Sequence, residues 1–194
     1  MEYKLDRETW LTEQAQFILD DLISPHCQLP ETPFRVSVGF PSGKPSRVLA
    51  QCWKREASSD GHNEIFVSPT ADDSLEILAS LAHELVHYSD NCESGHQNHF
   101  ARVARAIGLE GKLTATTAGP ALKAQLQCYV DLLGPIPHGK LDATKSGKKK
   151  QGTRMLKVAC SDCGFHFRAT DKHIDAMIYT DCLACETGTL AQQP

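Results

Sequence analysis

No run of 18 apolar residues occurs in this 194-residue sequence, which predicts that no helix crosses a membrane. The first fourteen residues, MEYKLDRETWLTEQ, are charged and lack the apolar stretch of a secretory signal. No segment repeats another, and the only compositionally biased stretch is short and basic. We therefore expect a cytoplasmic globular protein without membrane contacts, consisting of one domain of ordinary size and a small appendage.

Disulfides are not expected, although the chain has eight cysteines, because a protein without an export signal is expected in a reducing compartment. Four cysteines are scattered singly and are interpreted as free thiols: Cys27, Cys52, Cys92 and Cys128. The other four form two Cys-x-x-Cys pairs: Cys160, Cys163, Cys182 and Cys185. The pairs have a Cys-x2-Cys-x18-Cys-x2-Cys spacing, which is typical of a zinc ribbon. Four thiolates close a tetrahedral site, so this zinc is predicted to be structural.

Positive charge is concentrated in one segment. Residues 139–157 contain seven Lys or Arg and one Asp, a net charge of +6, whereas the whole chain has −4. Residues 139–153 lack hydrophobic periodicity and are predicted to be a linker before a ribbon at 154–194. Seven basic side chains could neutralise nucleic-acid phosphates: Lys140, Lys145, Lys148, Lys149, Lys150, Arg154 and Lys157. A solvated tether explains the same charges, and no aromatic residue interleaves with them for base stacking.

Residues 1–138 are predicted to form the main domain, of class α+β. An amphipathic helix is expected over residues 6–23, and three strand-like runs follow, at residues 34–40, 47–53 and 64–67. Consecutive short strands favour a small β-meander rather than alternating βαβ units. Three helices are expected next, the first starting near Asp72 to Ser74, the others at residues 98–107 and 120–133.

The first of these later helices contains the segment HELVH. It is apolar almost all round, so it is predicted to be buried, yet His83 and His87 lie about 40° apart on its surface with Glu84 beside them. Two imidazoles at positions i and i+4 can bind one zinc ion, and the glutamate is then free to take a proton from water. A pair of hydrogen-bonded core histidines is the alternative interpretation.

A catalytic zinc site needs a third protein ligand. Four residues downstream could supply it: Glu93, His96, His99 and Glu110. The pattern His-x-x-Gly-x-x-His does not continue from His87, because Asp90 and Glu93 occupy the glycine and histidine positions. His96 follows a tight turn and can return toward the helix, so it is favoured, whereas His99 could substitute for it or support it.

The segments SLAHELVHYSD and SGHQNHFARVARAIGLEGKLTAT resemble the SprT-like family of zinc metallopeptidases, which includes the Spartan-type DNA–protein crosslink proteases. The resemblance covers roughly residues 8–188 and includes a C-terminal zinc ribbon. It implies a zincin-like core in which His83, His87 and His96 bind zinc and Glu84 is the catalytic base.

These observations predict a zinc metallopeptidase acting on protein substrates, DNA-associated through its basic segment, with one catalytic and one structural zinc ion. The alternative is a non-catalytic, zinc-binding adaptor for nucleic acid or transcription. In that case both zinc sites are structural, and His99 or Cys92 closes the first one. Glu84 favours catalysis, because a structural site needs no carboxylate there. A zinc hydrolase for a non-peptide amide fits the same residues.

Overall fold

The computed structural model describes residues 5–42, 48–145, 155–175, 178 and 180–192. The chain divides into two compact units, Met1–Thr144 and Lys145–Pro194. The described residues contain five α-helices and three small sheets, so the predicted α+β class is confirmed. None of these helices combines the length and the hydropathy that a bilayer crossing requires.

The first unit begins with helix α1 (Arg7–Phe17), which continues as a π-helical segment (Ile18–Ile23). The Asp6 carboxylate caps α1 by accepting a hydrogen bond from the Thr9 amide at 2.7 Å. Trp10 is fully buried, and its indole N–H donates to the Gly134 carbonyl at 3.0 Å. This bond ties the start of the chain to the end of the last helix of the unit.

A three-stranded sheet follows: β1 (Phe34–Val38), β2 (Ala50–Trp53) and β3 (Asn63–Val67). The predicted meander is wrong, because the strand order is β1-β3-β2, with β1 parallel and β2 antiparallel to β3. β3 carries the buried residues Ile65 and Val67 and therefore takes the central position. The connection of residues 39–49 is long enough to carry the chain past that position, which leaves β2 at the edge of the sheet.

Helix α2 (Ser74–Tyr88) is the centre of the hydrophobic core, as its all-round apolar sequence predicts. The Asp73 carboxylate caps it, accepting from the Glu76 amide at 2.8 Å. Leu78, Leu81 and Leu85 are fully buried. The helix packs against β2, α3 (Asn98–Ala106) and α4 (Pro120–Leu133). The bounds of these helices agree with the predicted ones.

One element of this unit was not predicted, an antiparallel hairpin of β4 (Leu109–Lys112) and β5 (Ala115–Ala118). It packs against α2 and places threonine side chains beside it. The segment GLEGKLTATTA carries few apolar residues, so the hydrophobic pattern indicates no strand there. The hairpin nevertheless forms one wall of the site described below.

The second unit is a small antiparallel sheet, order β7-β6-β8, formed by β6 (Leu156–Cys160), β7 (His166–Ala169) and β8 (Leu190–Gln192). A one-turn helix, α5 (Asp171–Ile174), follows β7. Among the residues of this unit that the structure describes, five buried apolar residues form the core: Val158, Cys160, Ile174, Cys182 and Leu190. So small a core is not expected to hold the unit folded by itself.

Candidate metal centres

Three histidines converge in the first unit. α2 presents His83 and His87 one turn apart, and His96 lies in the turn before α3. His96 Nε2 is 3.3 Å from His83 Nε2 and 3.2 Å from His87 Nε2. Gly95 makes this approach possible, since its φ of +55° turns the chain back toward α2 in a conformation that favours glycine.

The spacing of the three nitrogens fits a zinc ion. Two ligands at 2.0–2.1 Å from a tetrahedral ion lie about 3.3–3.4 Å apart, which agrees with the separations from His96. His83 Nδ1 is 2.8 Å from Thr116 Oγ1 of β5, and a proton on this nitrogen leaves Nε2 with its lone pair toward the cluster. The donor set and its geometry therefore suit zinc.

Burial keeps the imidazoles neutral, which metal binding requires. Burial first, and the neighbouring His96 second, lower the pKa of His83 to about 4. Burial also lowers the pKa of His87 to about 3, with His83 and His96 contributing. The pKa of His96 is lowered by burial as well. Near pH 7 all three nitrogens can therefore bind a cation without first losing a proton.

Phe100 of α3 fixes the orientation of all three rings. It is fully buried, and its ring centroid lies 4.2 Å from that of His87, 4.8 Å from that of His83 and 5.0 Å from that of His96. A rigid aromatic ring in contact with each imidazole restricts the side-chain rotations that would disperse the ligands. In the sequence, Phe100 lies four positions after His96.

The other predicted ligands lie outside this cluster. His99 Nε2 is 2.8 Å from Ser89 Oγ, and its Nδ1 is 3.4 Å from the Arg102 guanidinium. Among the described residues, the group that can hold a metal here contains only His83, His87 and His96. Glu93, Glu110 and Cys92 are therefore not brought into it.

We expect His96→Ala to reduce the zinc content from two ions per chain to one, and His99→Ala to leave it at two. The reason is that His96 Nε2 lies close to the ring nitrogens of both helix histidines, whereas His99 Nε2 lies against Ser89. Zinc per chain, measured by atomic spectroscopy after gel filtration, tests this. Circular dichroism of both variants is the control for folding. Loss of zinc from His99→Ala but not from His96→Ala would contradict the assignment.

Glu84 lies beside the cluster on α2 and is 9% exposed. Its Oε2 accepts a hydrogen bond from the Cys52 amide of β2 at 2.8 Å. Burial raises the pKa of Glu84 to about 7, against the effect of that hydrogen bond. A cation at the imidazoles would favour the ionised carboxylate. The structure thus holds a buried carboxyl group, oriented by β2, next to a candidate metal-binding group.

Two clefts open onto these residues. One, of about 350 Å³, lies between β2 and the β4–β5 hairpin, and the other, of about 340 Å³, extends from there to His87 and His96. Five residues line both clefts: Val48, Ala50, His83, Glu84 and Thr114. Together the two clefts form a groove that leads past the three histidines, so a ligand can reach both the candidate metal site and the Glu84 carboxyl group.

Two features of the site were not recognised in the sequence. Thr116 orients His83 from a hairpin that was not predicted, and the run of β-branched threonines at 114, 116 and 117 is the signal that could have revealed it. The Cys52 amide orients Glu84 through its backbone, and no residue type reports such a contact.

The four paired cysteines also converge, in the second unit. Cys160 Sγ is 3.7 Å from Cys185 Sγ, and Cys163 Sγ is 3.7 Å from Cys182 Sγ. Ligands at about 2.3 Å from a tetrahedral zinc lie about 3.8 Å apart, so the donor set fits zinc. The amides of Asp162 and Ala184 donate to the sulfurs at 3.3 and 3.4 Å. Gly164, which directly follows the first Cys-x-x-Cys pair, has a φ of +74°, a conformation that favours glycine.

The predicted basic segment is described only at its ends. Lys148, Lys149, Lys150 and Arg154 lie outside the described residues. Lys140 makes a long ion pair with Asp72, at 3.7 Å, and Lys145 and Lys157 are exposed. The Leu141 amide donates to the Pro69 carbonyl at 2.7 Å, so the first residues after position 138 pack within the first unit.

No protein-family model, no curated protein and no solved structure matches this chain. The two candidate metal sites therefore rest on the geometry of the chain itself.

Proposed function

We propose that this chain is a zinc-dependent peptidase of the kind that the SprT-like resemblance implies. The observation that carries the proposal is the buried Glu84 carboxylate beside three convergent imidazoles at an open groove. A purely structural metal site needs only its ligands. Burying an additional carboxylate costs folding free energy unless the group is paired, so its presence beside the ligands favours a catalytic role.

The residues divide the chemistry between them. His83, His87 and His96 hold the zinc ion, which when bound supplies Lewis acidity and lowers the pKa of water. Glu84 accepts a proton from the attacking water and returns it to the leaving amine nitrogen. The Cys52 amide holds Glu84 Oε2 in one orientation throughout, and Phe100 and Thr116 hold the imidazoles.

The groove suits an extended peptide. The Cys52 N–H points away from β3, because it donates to Glu84 of α2. Backbone N–H and C=O groups two residues apart on a β-strand point to the same side, so those of Ala50 also point away from β3. Ala50 lines both clefts, and β2 is the outer strand in the order β1-β3-β2. A substrate strand can therefore pair with this edge, which would place a peptide carbonyl near the metal centre.

The test is hydrolysis of an unfolded protein by the zinc-loaded chain in water enriched in oxygen-18. We expect new carboxyl termini carrying the label, because hydrolysis adds one oxygen from water to each cleaved carbonyl. The products should disappear when a chelator removes zinc and return when zinc is restored. Mass spectrometry of the products measures both. Intact substrate in the presence of a fully zinc-loaded chain would contradict the proposal.

We also propose that the basic segment of residues 139–157 brings this activity to nucleic acid. Its charge of +6 supports the proposal, since phosphate contacts are sequence-independent and salt-sensitive. Fluorescence anisotropy with labelled DNA, added as a second arm of the same assay, should show binding that weakens steeply with salt. Replacing Lys148, Lys149 and Lys150 by Gln should flatten that dependence. Binding that is indifferent to salt would contradict this role.

A further inference from the structure

Two of the single cysteines meet at the wall of the metal cleft. Cys52 lies on β2 and Cys92 in the turn after α2, and their sulfurs are 3.4 Å apart. Both residues line the cleft that contains Glu84, His87 and His96, and both are partly exposed. A small reagent that enters this cleft therefore reaches both thiols at once.

The turn that carries Cys92 is anchored to the sheet. Asn91 and Cys92 have φ values of +54° and +58°, a left-handed conformation that asparagine tolerates and cysteine rarely adopts. The Asn91 carboxamide oxygen accepts from the Arg55 amide at 3.1 Å and from Asn63 Nδ2 at 3.0 Å. These bonds to the β2–β3 connection and to the first residue of β3 hold the Cys92 thiol against Cys52.

We propose that Cys52 and Cys92 are a reversible dithiol–disulfide pair that a peroxide oxidises. The sulfurs are 3.4 Å apart and need to approach by about 1.4 Å to form a bond of about 2.0 Å. The metal sites of the chain do not use these thiols, since neither belongs to a metal-binding group of the described residues.

The oxidation is balanced by one peroxide. One sulfur attacks a peroxide oxygen, the O–O bond breaks, and the products are a sulfenic acid and water, with the thiol proton going to the water. The second sulfur then attacks the sulfenic sulfur, the S–O bond breaks, and the second thiol proton leaves with the departing oxygen as water. The two sulfurs lose two electrons, and the peroxide gains them.

The disulfide would bear on the peptidase site, an effect that rests on the proposed function. Cys52 orients Glu84 through its amide, and Cys92 belongs to the loop between His87 and His96. A disulfide between them would join β2, which orients Glu84, to the loop that carries His96. We expect hydrolysis to fall at least about tenfold on oxidation, since displacements near 1 Å can cost about 100-fold.

The experiment uses the full zinc-loaded chain, treated with hydrogen peroxide at a concentration that leaves its zinc content unchanged. Free thiols are then alkylated, and the digest is analysed without reduction by mass spectrometry. The expected product is a peptide pair joined through Cys52 and Cys92, two hydrogens lighter than the separate peptides. Dithiothreitol should release it. The same link is expected in Cys128→Ser, because Cys128 lies exposed on α4 and is not part of the pair. It is not expected in Cys92→Ser.

The outcomes separate the two proposals. If Cys128 is oxidised while Cys52 and Cys92 are both still alkylated, the dithiol pair is refuted. If the disulfide forms and the hydrolysis rate of the wild type does not change, the effect on the peptidase site is refuted. Cys92→Ser is the control, because peroxide should not change its hydrolysis rate. If the link forms in a chain that never hydrolyses protein, the proposed function fails and the dithiol pair stands.

Discussion

Glu84→Gln should reduce peptide hydrolysis about a thousandfold, within the range of about 100- to 10,000-fold that general acid–base catalysis contributes. Glutamine has the same shape, and its carbonyl oxygen can still accept the hydrogen bond from the Cys52 amide. It cannot take a proton from water at neutral pH. The three imidazoles are untouched, so zinc content should stay the same. Initial rates under saturating substrate, together with zinc per chain, measure this.

The matched control is Glu93→Gln, the same chemical change in an exposed residue outside both clefts. Its rate should equal that of the wild type. Glu84→Asp serves as a second comparison, because it keeps the carboxylate but moves it by about one methylene, and it should lie between the other two. A Glu84→Gln chain that hydrolyses protein at the wild-type rate would remove the catalytic role and favour the adaptor alternative.

The second large effect concerns the ribbon. Cys182→Ser should abolish zinc binding in the second unit and unfold it, while the first unit keeps its structure. Two of the five buried apolar residues described for this unit, Cys160 and Cys182, are themselves the expected ligands, so little of that core is left without the metal. Structural zinc contributes about 10–16 kcal/mol of apparent binding free energy in comparable small modules.

Hydrogen exchange followed by mass spectrometry resolves this by segment. Amides of β6 and β8 should exchange rapidly in Cys182→Ser, whereas those of α2 should stay protected. Cys128→Ser, a loss of one thiol outside the ribbon, should change neither. Protection of β6 that survives both Cys182→Ser and chelation would show that the sheet does not depend on zinc.

The candidate metal ligands could be predicted from the sequence because their signals are local. A Cys-x-x-Cys pair brings two sulfurs together within one turn, and an i, i+4 histidine pair shares one face of a helix, whatever surrounds it. The buried environment of α2 was also predictable, since its apolar residues cover nearly the whole helix surface. His96 was a weaker inference, because a ligand from another segment depends on how the chain returns.

The strand order and the β4–β5 hairpin depend on how distant segments pair and pack, which local patterns do not report. The sheet order β1-β3-β2 was missed because local patterns show that strands exist but not which strand has the best buried faces for the centre. The β4–β5 hairpin was missed because its residues are polar and gain their structure from pairing and from packing on α2.

The sequence by itself therefore determined the α+β class, the helix that carries His83, Glu84 and His87, and the four-cysteine group, since each depends on short-range periodicity or spacing. Only the tertiary structure decided that His96 rather than His99 joins the histidines, that the Cys52 amide orients Glu84, and that Cys52 meets Cys92. These contacts join residues 9 to 40 positions apart, and such proximity is set by the packing of whole elements rather than by local preference.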